Sequence, residues 1–127
     1  MSKCYWLLNH KILQDQIDEL GERYGVTSII LPPDSLSNAW SSIAPIKDIP
    51  EDIYLSVMKW FEDITPEDVA VVQGEFTITF RVVNALIDRG VTVLASVSER
   101  QSVESVKEGV VTKQSVFKHI CFRKYKK

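Results

Sequence analysis

The chain has 127 residues and a mass of 14.5 kDa, the size of one ordinary domain. Hydrophobic residues make up 45% and charged residues 25%, which excludes disordered and fibrous classes, and the longest apolar runs fall far short of the roughly 20 residues that span a membrane. Net charge is −2, divided unevenly: residues 1–108 sum to −8, whereas residues 109–127 hold six Lys/Arg and no acid, a balance of +6.

In chain order, Met1-Ser2-Lys3-Cys4 lacks the basic and apolar pattern of a secretory leader. Tyr5-Trp6-Leu7-Leu8 reads as a buried first strand ending at Asn9-His10. Leu13, Ile17, Leu20 and Tyr24 fall at i, i+4, i+7 and i+11, the stripe of an amphipathic helix, and Gly25 stands where such a helix stops. Ser28–Leu31 is a second strand closed by Pro32-Pro33. Residues 34–50 read as irregular, with one helical turn around Leu36–Trp40. Ile53, Val57, Trp60 and Ile64 repeat the helical arithmetic behind an acidic start, Pro50-Glu51-Asp52.

Val69–Gln73 is the third strand and Gly74 the turn into a helix from Glu75 to Arg89. Phe76, Phe80, Val83 and Ile87 form the expected buried stripe of that helix, with Thr77, Arg81, Asn84 and Asp88 opposite. Val91–Val97 is a fourth strand. A hairpin then joins Val103–Val106 to Val110–Tyr125 through Lys107-Glu108-Gly109. Strands alternating with helices predict a single α/β unit over residues 1–127, with a mostly parallel sheet. Two cysteines, Cys4 and Cys121, form no CxxC and no Cys/His cluster. A zinc ribbon or disulfide scaffold is therefore not expected, and a reducing cytosol is the natural compartment.

Parallel sheets carry their sites outside the carboxyl ends of the strands. If the first, third and fourth strands are neighbours, the clusters Asn9-His10, Gln73–Thr77 and Ser96–Arg100 converge on one rim. At Gly74 the strand runs at once into a helix, so unpaired N–H groups and an electropositive helix start offer an anion site, with Thr77 adding a hydroxyl. The competing reading is that Gly74 only makes the turn and that Glu75 with Thr77 caps the helix; Glu75 also repels phosphate. No GxGxxG or GxxxxGK[ST] is present, which disfavours dinucleotide and P-loop sites. His10 offers acid–base chemistry near neutral pH, against a polar strand end capping the next helix. Arg100 offers a planar fork for phosphate oxygens, against a local pair with Glu99. His119 and Arg123, four apart, are read on one face of the last strand, and Arg100 and His119 are expected near the surface. Neither metal-ligand spacing nor a GxSxG elbow exists.

Four segments, Trp6–His10, Val71–Thr77, Ser96–Arg100 and Ser115–Tyr125, resemble the small stand-alone CRISPR-associated ring nucleases of the Csx type that accompany type III systems. The resemblance runs over nearly the whole chain, and its most specific pieces are Gln73-Gly74-Glu75 and the ending Phe-x-His-x-x-Phe-Arg-x-Tyr from Phe117 to Tyr125. It implies a Rossmann-like fold related to the CARF domains that sense cyclic oligoadenylate, assembled as a homodimer with the ligand across the two-fold axis. The implied substrate is cyclic tetra-adenylate, cut without a metal or other cofactor by attack of a ribose 2′-hydroxyl on its own 3′-phosphate. On that expectation His10, Arg100 and His119 are the catalytic candidates, and Asn9, Gln73, Gly74, Glu75, Phe76, Thr77, Ser98 and Arg123 bind the ring. Two other readings compete: a module of the same fold that binds the ring without cutting it, and an RNA-binding accessory protein using the basic stretch from Lys113 to Lys127.

Overall fold

The computed structural model describes residues 2–127. Its elements are β1 (Ser2–Leu7), α1 (Gln14–Tyr24), β2 (Val26–Ile30), α2 (Asp34–Ser41), α3 (Glu51–Trp60), β3 (Val69–Val72), α4 (Phe76–Asp88), β4 (Thr92–Lys107) and β5 (Val110–Lys124). They form a five-stranded sheet in the order β2-β1-β3-β4-β5. The first four strands are parallel and β5 returns antiparallel along β4. The fold is thus α/β with a mostly parallel sheet and flanking helices, as the alternation of elements predicts.

Because successive strand residues point to opposite faces, a strand covered on both sides must be apolar at every position. β1 and β3 meet that condition. Cys4, Trp6, Val69 and Val71, with Leu94 and Phe122, pack on one face against Leu20 of α1. Tyr5, Leu7, Ala70 and Val72 pack on the other against residues of α2, α3 and α4 such as Trp40, Val57 and Leu86.

Four expectations are corrected. The helix in residues 34–50 is longer than one turn, running from Asp34 to Ser41. The fourth strand does not stop at Val97: β4 continues through Ser96–Arg100 to Lys107, so that cluster lies within a strand rather than in a loop. The stripe of α1 is rotated, with Gln16 and Leu20 buried while Leu13 and Ile17 are 49% and 38% exposed. Gln16 stays inside because its carboxamide is used twice: Oε1 accepts from Leu13 N–H at 2.8 Å and Nε2 donates to Ser96 Oγ at 3.3 Å. On α4 the expected buried stripe faces largely outward. Ile78, Val82 and Leu86 fill the core, and Phe76 and Phe80 are 90% and 71% exposed. That helix carries two apolar stripes, and periodicity alone cannot say which one meets the sheet.

Candidate functional site: a cleft at the carboxyl ends of β1 and β3

The chain leaves β1 towards β2 on one side and leaves β3 towards β4 on the other. Connections therefore diverge between β1 and β3, and α1 and α4 lie on opposite faces of the sheet. Divergence of this kind opens a crevice at the carboxyl ends of the two strands, where α/β sheets hold their ligands. A cleft of about 600 Å³ lies there, within the size range of small-molecule sites. One wall is the loop after β1 (Leu8 to Lys11), which Trp6 pins by donating from Nε1 to His10 O at 3.2 Å. Leu13 at the start of α1 and Gln16 within it, Gln73 and Gly74 after β3, and Ser96, Ser98, Phe117 and His119 from the β4–β5 hairpin complete it.

Gln73 extends the sheet beyond the end of β3 with its side chain. Its Oε1 accepts from Ser96 N–H at 2.8 Å and its Nε2 donates to Ser96 O at 3.3 Å, imitating a further rung of the ladder. Its own carbonyl accepts from Trp40 Nε1 at 2.8 Å. The same indole explains Gly74, where an added Cβ would stand 2.7 Å from Trp40 ring atoms. The glycine thus makes room for a tryptophan of α2.

His119 is 7% exposed, which corrects the expectation that it lies near the surface. Its Nδ1 stands 3.0 Å from Ser96 Oγ and its Nε2 2.9 Å from Glu19 Oε1 on α1. Glu19 Oε2 accepts from Phe122 N–H at 2.8 Å and from Arg23 Nη1 at 2.5 Å. Burial works against the charge on Glu19, but the hydrogen bonds from Phe122, His119 and Arg23 outweigh it and hold the carboxyl below its usual range. An ionised Glu19 places the imidazole proton on Nε2 and leaves Nδ1 to accept from the Ser96 hydroxyl. Gln16 Nε2 donates to that same hydroxyl oxygen. The result is a directional relay from Ser96, which lines the cleft, through His119 to a half-buried carboxylate. Cys4 offers no rival nucleophile, since burial pushes its thiol up to about 12.

Six of the residues singled out in the sequence meet in this cleft: Asn9, His10, Gln73, Gly74, Ser98 and His119. The prediction that the first, third and fourth strands are neighbours holds. Arg100 lies just outside. It pairs with the cleft residue Phe117 and shares its face, about 7 Å beyond Ser98 along β4, and its guanidinium donates to Ser115 Oγ at 2.9 Å.

Glu75, Phe76, Thr77 and Arg123 are not among the lining residues. The carboxylate of Glu75 accepts from the hydroxyl and N–H of Thr77 and from Ile78 N–H, which holds it below the usual carboxylate range. The helix start is therefore already supplied with an anion by its own cap, as the capping reading anticipates. Phe76 faces a different groove, beside Phe80 and Tyr125. Arg123 does not share a face with His119. Val97 pairs with Cys121 and Ser98 with His119, so Ile120 is the extra residue of a β-bulge, which reverses the alternation and sets His119 beside Phe122 at 4.8 Å between ring centres.

Ser96, Gln16, Lys11 and Glu19 were missed. Ser96 stands inside the quoted Ser96–Arg100 cluster, and Lys11 follows Asn9-His10. Gln16 and Glu19 sit among polar residues of α1, and nothing in the spacing marks them as inward-facing.

A model of the family described as "Uncharacterized protein MJ1673 family" matches residues 2–123. A protein of Methanocaldococcus jannaschii described as "Uncharacterized protein MJ1673" is 34% identical over 128 residues, covering 98% of this chain and 98% of its own. No solved structure matches the chain. With nearly every element from β1 to the end of β5 inside the matched region, the chain belongs to the MJ1673 family.

Proposed function

We propose that this chain is a ring nuclease acting on cyclic tetra-adenylate, one that silences a type III CRISPR second messenger. The observation that carries the reading is the cleft at the β1/β3 divergence, where six sequence-selected residues join a Ser96–His119–Glu19 relay. The strand order β2-β1-β3-β4-β5 supports kinship with the Rossmann-like CARF domains, and the resemblance in the Gln73–Thr77 and Phe117–Tyr125 segments supports the substrate.

The chemistry needs a base for a ribose 2′-hydroxyl, a positioned phosphate and an acid for the departing oxygen. Ser96 Oγ takes the 2′-proton while its own proton passes to His119 Nδ1, and Glu19 stabilises the imidazolium that forms. The 2′-oxygen bonds to the adjacent phosphorus, the bond to the neighbouring 5′-oxygen breaks, and His10 on the facing loop gives that oxygen its proton. The products are a 2′,3′-cyclic phosphate and a 5′-hydroxyl, with no metal in the sequence of steps. Lys11 and Arg100 supply positive charge at the cleft mouth, and Phe117 offers a face for an adenine ring. A two-fold pair of such clefts matches the symmetry of a four-nucleotide ring.

The test is a timed incubation of the protein with cyclic tetra-adenylate in excess EDTA, resolved by liquid chromatography and mass spectrometry. Linear adenylates ending in a cyclic phosphate are expected, with His119→Ala slowing their formation by about 10²–10⁴-fold while ring binding persists. Tight binding of an intact ring would replace the nuclease by a sequestering module. Preference for ordinary single-stranded RNA, with a steep salt dependence, would move the activity to the basic ending.

A further inference from the structure

The relay that ends at Ser96 has the parts of an activated nucleophile. Ser96 lines the cleft, and its Oγ is held from two sides, by Gln16 Nε2 at 3.3 Å and by His119 Nδ1 at 3.0 Å. Glu19 Oε1, 2.9 Å from Nε2, and the neighbouring Phe122 ring fix the imidazole in turn. The His119 side chain is 3% exposed, so the Ser96 oxygen is the point where the relay meets the cleft. A tether between α1 and the hairpin needs only the bonds from Glu19 to His119 and Phe122. The further bond from His119 to Ser96 adds a hydroxyl paired with an oriented base. Such a constellation is recognised by geometry and roles rather than by sequence position, so the absence of a GxSxG elbow does not count against it.

We propose that Ser96 is a nucleophile and that the cleft hydrolyses small carboxylic esters with an apolar acyl group through an acyl-serine. Leu8, Leu13 and Phe117 line the cleft, and Leu13 and Phe117 are 49% and 71% exposed, apolar surface that an acyl chain covers. Ser96 Oγ bonds to the ester carbonyl carbon as its proton moves to His119 Nδ1. The bond from that carbon to the alkoxy oxygen then breaks, and the departing oxygen takes the proton from Nδ1 and leaves as an alcohol. Water attacks the acyl carbon next and gives its proton to Nδ1. The Ser96 oxygen leaves with that proton, and a carboxylic acid is released. Gly74 borders the same cleft, and its N–H, which has no hydrogen-bond partner among the described residues, is a donor for the oxyanion. The inference rests on the relay and not on the nucleotide reading, in which the same hydroxyl acts as a base.

The full chain treated with diisopropyl fluorophosphate, and separately with p-nitrophenyl butyrate, tests it. Intact-mass spectrometry is expected to show a single phosphoryl adduct, and fragmentation of the labelled wild-type chain should place it on Ser96 without recourse to any variant. Ser96→Ala should take no label and release no p-nitrophenol above background. His119→Ala should slow both reactions by about 10²–10⁴-fold, and Ser105→Ala, on the outer arm, should label like the wild type. Absence of an adduct, an adduct on another residue, or ester turnover that survives Ser96→Ala would overturn the proposal. A chain that cuts cyclic tetra-adenylate yet takes no label would overturn this inference alone. A chain labelled on Ser96 that leaves the ring intact would support it and overturn the nuclease reading.

Discussion

Strands β4 and β5 run side by side from end to end, yet their inner and outer halves are held by different forces. In the inner half Val93, Leu94 and Phe122 are at most 2% exposed and lie between α1 and the helices of the opposite face. In the outer half, beyond the bulge at Ile120, Val106, Val110 and Phe117 are 70%, 63% and 71% exposed. Backbone pairing is the same in both, continuing in register from Ser98–His119 to Lys107–Val110. What differs is burial. A two-stranded ribbon without a packed face is marginal in water, so the ladder shapes the arm while the core beneath the inner half supplies the stability. Chain that contributes little to stability is available for binding, and Phe117 of the arm lines the cleft.

The contrast is sharpest at Phe122. Its ring meets Trp6 edge-on at 6.3 Å and His119 at 4.8 Å and is 2% exposed. Phe122→Ala is expected to cost about 3–5 kcal/mol, seen as a lowered urea midpoint with little change in slope. A loss below 1 kcal/mol would mean that the inner half is not the anchor.

The boundary between the halves is held by Glu19, which reaches from α1 to both His119 and Phe122. Its carboxyl titrates below its ordinary value of 4.5 in the folded chain. The folded state thus holds the proton more weakly than the unfolded state does. The stabilisation is complete above 4.5 and is lost as pH falls through the lowered folded value. Glu19→Gln should cost about 1–3 kcal/mol at neutral pH, and the gap between the two proteins should close in acid. Urea titrations of both at neutral and acidic pH check this, and a gap that widens in acid would contradict the pairing.

Much of this architecture is legible in the sequence and some of it cannot be. Strand and helix order follow from periodicity and from Gly and Pro punctuation, and the convergence of Asn9, Gln73 and Ser98 follows from topology once β1, β3 and β4 are neighbours. The bulge at Ile120 leaves no mark in an alternating strand, and without it His119 and Arg123 share a face. On α4 two apolar stripes compete, and the aromatic one looks like core because large rings usually are core. Gln16 and Glu19 read as solvated because their worth lies in partners 80 and 100 residues away.

At the tip, Glu108 and Gly109 both have positive φ, 53° and 76°, the backbone of a two-residue hairpin turn whose twist matches its strands. Gly109→Ala forces a Cβ into that region at about 1–2 kcal/mol. The outer half has no packed face to tie it to the core, so the penalty should appear as faster amide exchange in the outer half of β4 and β5. The urea midpoint should stay where it was; a shifted midpoint would tie the arm to the global transition.

The smallest effect on stability should come from Phe117, and it carries the largest functional meaning. The ring is 71% exposed, so Phe117→Ala should change stability by less than about 0.5 kcal/mol. Under the ring-nuclease reading the exposed face stacks on an adenine, and stacking lost by alanine substitution amounts to about 1–3 kcal/mol per base, a loss of roughly 5–150-fold in affinity. Titration of cyclic tetra-adenylate against the wild type and the variant separates the two quantities. Weaker binding with an unmoved urea midpoint would make the arm a ligand-binding device that the fold tolerates without depending on it. Unchanged affinity would remove the arm from the site and leave the cleft to the loop after β1 and the Ser96–His119 relay.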